Sequence, residues 1–181
     1  MVYTKGKGFE KYSGGSHKYI RKMKEGKPVD NINKRKQKTI RHDTYLIQNF
    51  KTVPPGIPHG LKHIFRGVDL RYAKPYDKDT MYIESKSYMS FSKNKLIAGS
   101  FPKDANKIHG TLVLSTEIIP RRTPVIYNQL WGMKSSQPQE KEVLLPPGIL
   151  IFSKTPTSNR TYNKKYYNVV KYQPYKLKSL K

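Results

Sequence analysis

Two carboxylates, Glu140 and Glu142, flank Lys141 and run directly into Val143-Leu144-Leu145-Pro146-Pro147-Gly148. In an extended chain, residues i and i+2 project from one face, so both side chains can enter a single cleft. Like charges held close oppose each other's ionisation and titrate as a coupled pair. One can then stay charged while its neighbour exchanges a proton near neutrality. The spacing alone also describes many solvated strand edges, so its meaning depends on what else the chain brings to it.

Three other segments bear on that question. Arg66-Gly67 closes an apolar approach, His63-Ile64-Phe65, and is followed by Val68. An arginine leaving a strand offers a planar fork of donors suited to a diphosphate, and a following glycine lets a ligand come close to the backbone. Tyr88-Met89-Ser90-Phe91-Ser92 places hydroxyls on one face of a strand, and Phe101 follows Ser90 by eleven residues. Each of these alone is also an ordinary surface arginine, a serine-bearing strand or a core phenylalanine.

Taken in this order, FRGV at 65–68, YMSFSKNKLIAGSF at 88–101 and EKEVLLPPG at 140–148 resemble the arginine–serine–glutamate class of ADP-ribosyltransferases. That class includes clostridial-type binary toxins, vertebrate ecto-enzymes and phage enzymes, and the similarity spans roughly residues 60–173. The resemblance implies an α+β fold: a β-rich core of two packed sheets around an NAD cleft, with few short helices. It implies NAD+ as a substrate, no metal, and mono-ADP-ribosylation of arginine on a protein with release of nicotinamide. Arg66 would hold the diphosphate, with the Gly67 backbone near the nicotinamide amide. Ser90 would position Glu142 and contact the nicotinamide-side ribose, with Ser92 beside it, and Phe101 would pack on the nicotinamide. Glu142 would bond the ribose 2′-hydroxyl and stabilise the oxocarbenium-like cation, and Glu140 would engage the acceptor guanidinium. Two features depart from the pattern. Phe91 stands where the class has threonine, and the loop 132–139 lacks an aromatic shortly before Glu140, a place that Trp131 or Tyr127 could fill.

Around these segments the chain reads as strand-rich. Strands are expected from Gly60 to Val68, from Gly110 to Ile119 with a stop at Pro120, and from Pro124 to Asn128. Two short ones are expected at Glu142–Leu145 and Ile149–Ser153, around the Pro146-Pro147-Gly148 turn. Short helices are expected at Thr44–Phe50 and near residues 93–101, and no long amphipathic helix is legible. Residues 1–42 hold 13 Lys+Arg against 3 Asp+Glu and few apolar residues, which reads as a basic flexible arm. The expected division is therefore that arm, a catalytic domain over 43–173, and a basic tail over 174–181. Five tyrosines accompany 8 Lys+Arg from Lys154 onward. They could form a stacking surface for single-stranded nucleic acid or a tyrosine-rich edge strand around Tyr166–Tyr172 with a frayed end.

Charge and composition bound the rest. With 36 Lys+Arg, 12 Asp+Glu and a net charge of +24, the chain attracts anions, including nucleic acid, although the same coat also serves solubility. It contains no cysteine, which excludes disulfides, thiolate metal sites and a cysteine nucleophile. Its five histidines show no metal-ligand spacing. No apolar leader or membrane-spanning run is visible, which favours an intracellular (cytoplasmic or nuclear) or virion-associated protein. The small, lysine- and tyrosine-rich style suits a virus or phage. Two other functions stay open: ADP-ribosylation of a nucleic acid, and a non-catalytic basic domain that binds nucleic acid through its arms.

Overall fold

The computed structural model describes residues 11–29, 32–54, 56–57, 60–98, 109–127, 141–159 and 164–180. Its architecture is α+β. Helix α1 (His17–Lys24) follows a wide helical turn at Tyr12–Ser16, and α2 spans Ile32–Thr52. Strands β1 (His63–Asp69), β2 (Lys74–Pro75), β3 (Thr80–Ser85) and β4 (Met89–Ser92) come next, followed by a short α3 (Lys95–Ala98). The chain then forms β5 (His109–Ser115), β6 (Ile126–Tyr127), β7 (Glu142–Leu145), β8 (Gly148–Ser153), β9 (Thr157–Asn159) and β10 (Lys164–Pro174).

The strands join in the order β2-β3-β8-β10-β5-β1-β4-β7-β6, with β9 paired to β10. The two expected sheets are thus two halves of one hydrogen-bonded path that meet along β10. That strand runs parallel to β5 through Tyr166–Asn168 and antiparallel to β8 through Val169–Pro174. The tyrosine-rich segment is therefore central, which corrects the edge-strand expectation. A register shift between Val169 and Lys171 resets its alternation: Tyr167, Val169 and Tyr172 are buried while Lys171 is exposed. A bulge inserts one residue and so moves every later side chain to the opposite face.

Two cores lie on opposite faces of the β4–β7 region. Met89, Phe91, Val143 and Leu145 join Ile64, Leu112, Leu114, Phe152 and Tyr167 in the larger one. Tyr88, Ile126 and Leu144 join Tyr12, Ile20, Leu46, Ile47 and Phe50 in the smaller one. Strand alternation sorts the residues this way: odd positions of β4 and β7 enter the first core and even positions face the helices. Phe50 stacks on Tyr88 with ring centroids 5.5 Å apart, a contact worth about 1 kcal/mol beyond its burial.

Among the described residues, the basic N-terminal stretch is helical over Tyr12–Lys24 and again from Ile32. Its helix α2 runs straight across the boundary expected at residues 42 and 43. Extended to 21 residues, α2 absorbs the short helix expected at Thr44–Phe50. Its buried face carries Thr39, His42, Asp43 and Asn49 among Leu46, Ile47 and Phe50, so apolar periodicity is legible only in its second half. Helix α1 ends where Gly26 adopts φ +73°. The Lys27 amide then reaches the Lys22 carbonyl at 2.8 Å and the Gly26 amide the Met23 carbonyl at 3.1 Å, the paired bonds that close a helix on a left-handed glycine. The C-terminal segment is docked as well: Leu177 and Leu180 pack on the smaller core, and the Tyr175 amide donates to the Pro147 carbonyl at 2.7 Å. The strand expected over Gly110–Ile119 stops at Ser115 and gives way to a 3-10 turn at Thr116–Ile118.

Candidate active site

Glu142 is the first residue of β7 and is 5% exposed. It lies opposite Ser92 of β4, and Ser90 lies opposite Leu144. The Ser90 hydroxyl nevertheless donates to Glu142 Oε1 at 2.6 Å. Both side chains stand on the face that looks toward the helices, because Tyr88, Ser90 and Ser92 alternate with the core residues Met89 and Phe91. Phe91, the departure at the middle of the serine segment, is thus a core residue. Ser92, 6% exposed, accepts a bond from the Asn94 amide at 3.0 Å and so shapes the turn into α3.

Arg66 approaches from the other side. Strand β1 meets β4 at one register pair, Phe65 opposite Ser92. Just past it, Arg66 Nη1 donates to the Ser90 carbonyl at 2.8 Å. Arg66 sits in the middle of β1 and not at its exit, and Gly67 beside it pairs with Thr111 of β5. One residue, Ser90, therefore receives the arginine on its backbone and offers its hydroxyl to the glutamate. Burial holds the Arg66 guanidinium below its ordinary pKa, Arg21 adds to that, and Tyr12 and Glu142 oppose it. An arginine still keeps its proton under such pressure.

The residue just before β7 is not extended. Lys141 adopts φ +46°, in the left-handed region, which costs a non-glycine residue about 1 kcal/mol. Its carbonyl accepts from the Lys93 amide at 3.2 Å. Glu140 itself, Phe101 and Trp131 lie outside the described residues. Tyr127 of β6 is buried and pairs with Val143.

Two residues around this face, Tyr12 and Asp43, were not singled out in the sequence. Tyr12 packs edge-on to Tyr88, with centroids 5.7 Å apart. Its phenol is driven well above its ordinary pKa, first by burial and then by the charge of Glu142, while Arg66 acts in the opposite sense. Asp43, 0% exposed, accepts from the Tyr88 hydroxyl at 2.6 Å and from the Leu180 amide at 3.0 Å, and it pairs with Lys24 at 3.5 Å. Burial, then Asp43, holds the Tyr88 phenol protonated. Only tertiary contact could have found these residues, since Tyr12 lies in a Gly- and Ser-rich stretch and Asp43 in a polar one. Among the described residues no group of three or more His, Asp or Glu could hold a metal ion, and no helix is long and apolar enough to cross a membrane.

No family model matches the chain, and no curated protein matches its sequence. Solved structures do match in fold. The ADP-ribosyltransferase Vis, in complex with agmatine, aligns with a TM-score of 0.61 at 14% identity over 100% of this chain and 78% of its own. An ADP-ribosyltransferase from Clostridium botulinum gives 0.57 at 15% identity, covering 92% of this chain and 85% of its own. This is the ADP-ribosyltransferase fold. The eukaryotic mono-ADP-ribosyltransferase ART2.2 shares it at a TM-score of 0.56 and 16% identity, over 96% of this chain and 67% of its own. Within that fold Arg66, Ser90 and Glu142 come from three different strands and converge on one face.

Proposed function

We propose that this protein is an NAD+-dependent mono-ADP-ribosyltransferase that modifies arginine side chains of a protein and releases nicotinamide. The observation that carries this reading is the Ser90–Glu142 bond of 2.6 Å, braced by Arg66 on the Ser90 carbonyl, within this fold. Exoenzyme S with carba-NAD and ART2.2 with NAD, both of the same fold, support NAD+ as the substrate. Agmatine, which Vis holds, is an alkylguanidine, and this favours a guanidinium acceptor.

In this reading Arg66 spends one donor on Ser90 and directs others of its five N–H groups to the diphosphate. The bond between the ribose C1′ and the nicotinamide nitrogen breaks, and its electron pair leaves with nicotinamide. Glu142, fixed by Ser90, binds the 2′-hydroxyl and stabilises the positive charge spread over C1′ and the ring oxygen. A guanidinium nitrogen then bonds to C1′ and gives its proton to Glu140. Gly67, Ser92 and Phe101 would line the nicotinamide side.

A nucleic-acid acceptor is the second reading, favoured by the +24 charge. Labelled NAD+ incubated with a histone mixture, DNA and RNA separates the two, and mass spectrometry identifies the modified group. Label on arginine supports the first reading, whereas label on nucleic acid alone selects the second. Undiminished nicotinamide release by the Glu142→Ala protein sinks both.

A further inference from the structure

A cavity of about 1060 Å³ opens between the end of α1, α2, the β3–β4 turn and the C-terminal segment. None of Arg66, Ser90 or Glu142 lines it. Six lysines do: Lys24, Lys27, Lys36, Lys86, Lys176 and Lys178, with no described carboxylate among the lining residues. Two of the six have acidic partners, Lys24 at Asp43 and Lys27 at Glu25. No ion pair among the described residues joins Lys36, Lys86, Lys176 or Lys178 to a carboxylate. Three separate stretches of chain, at Lys36, at Lys86 and at Lys176 and Lys178, therefore bring ammonium groups to one concavity without a carboxylate partner among the described residues.

The rest of the lining is mostly apolar and includes Met23, Val29, Pro147, Tyr175 and Leu180. Tyr175 is held by its hydroxyl, which donates to Glu84 at 2.7 Å. Docking the C-terminal segment forms this wall: Lys24 Nζ donates to the Lys178 carbonyl at 3.0 Å while the Leu180 amide bonds Asp43. Uncompensated like charges around a low-dielectric concavity focus a positive potential into it. Lysine meets phosphate as a point charge, and several lysines in a bowl match several phosphates on one small body. An extended nucleic-acid strand calls instead for an open groove that follows its backbone. The volume lies at the upper end of small-molecule sites, which run to about 1,000 Å³.

We propose that this cavity is a second binding site, for a compact molecule carrying several phosphates, either free in solution or as the headgroup of a phosphorylated lipid. The proposal does not depend on the transferase reading, since its test measures binding alone.

Calorimetry on the full chain at near-physiological salt would use inositol hexakisphosphate, ATP, vesicles containing a phosphoinositide, and a single-stranded oligonucleotide. Saturable one-to-one binding of a soluble polyphosphate is expected. Binding to the vesicles but to neither soluble ligand would assign the lipid source. The combined Lys36→Ala, Lys86→Ala, Lys176→Ala protein should bind about tenfold more weakly or worse. A control with the same charge loss elsewhere, Lys74→Ala, Lys78→Ala, Lys165→Ala, should bind within about twofold of the parent. The single Lys86→Gln protein provides the same comparison with the least change to the fold, and thermal melts report whether each variant is folded. Equal weakening in the control would overturn the proposal, because general charge would then explain the binding. So would binding of the oligonucleotide alone, or no saturable binding of any phosphorylated probe.

Discussion

Ser90 and Glu142 bond across a strand pair without facing each other in register. Ser90 stands opposite Leu144 and Glu142 opposite Ser92, so the 2.6 Å contact runs diagonally between β4 and β7. Diagonal neighbours on one sheet face lie farther apart than direct partners, and a side-chain hydrogen bond across them fixes both rotamers. The glutamate is thus aimed by a residue whose own carbonyl is held by Arg66.

Removing that aim should damage chemistry more than folding. Glu142→Gln keeps the shape and an acceptor for Ser90 but loses the charge, and kcat for nicotinamide release should fall about a hundredfold or more. Ser90→Ala should cost about tenfold, with the thermal midpoint little changed. Steady-state assays with NAD+ beside calorimetric melts check both.

Arg66→Lys should act on NAD+ binding. A lysine cannot bond the Ser90 carbonyl and grip a diphosphate with one planar fork, so KM for NAD+ should rise about tenfold. An unchanged KM would remove Arg66 from the diphosphate site.

Asp43→Ala should destabilise the fold by about 3 kcal/mol, because it strands the Tyr88 hydroxyl and the Leu180 amide and leaves Lys24, whose side chain is 9% exposed, without its carboxylate. Denaturant unfolding measures this. Limited proteolysis should also release the C-terminal segment earlier.

His42 gives the protein a pH dependence. Burial, with Lys38, Lys11 and Arg41 adding to it, lowers its pKa from the ordinary 6.5, so the folded chain prefers the neutral ring. The unfolded chain takes up a proton first as pH drops through 6.5, so this group costs stability on acidification and ceases to do so above that value. Ser16 Oγ lies 2.5 Å from its Nδ1. His42→Gln should lose part of the fall in thermal midpoint between neutral and mildly acidic pH. An equal fall in both proteins would exclude His42 as the source.

Gly148→Ala should cost about 2 kcal/mol. A Cβ there would collide with the Gln173 carbonyl oxygen and sit 2.9 Å from the Pro174 Cα. Both atoms are backbone of β10 and cannot turn aside, so β8 would have to move. Thermal melts check it.

By itself the sequence determined which face of β4 carries the hydroxyls of the candidate site and which face enters the core. Tyr88, Ser90 and Ser92 alternate with Met89 and Phe91, and strand pleating turns that spacing into a hydroxyl face and a core face wherever the strand is placed. The apolar run after Glu142 set β7 and β8 in the same way. Tertiary structure decided everything that depends on who packs against whom. Tyr12 and Asp43 join the site through contacts dozens of residues apart in the chain. Helix α2 hides half its buried face among polar residues that are satisfied only once folded. A single bulge after Val169 makes Tyr172, and not Lys171, a core residue. The left-handed φ of Lys141, just before β7, is likewise invisible in the local residue pattern. Local alternation is written residue by residue, whereas a register shift or a buried polar partner exists only between segments.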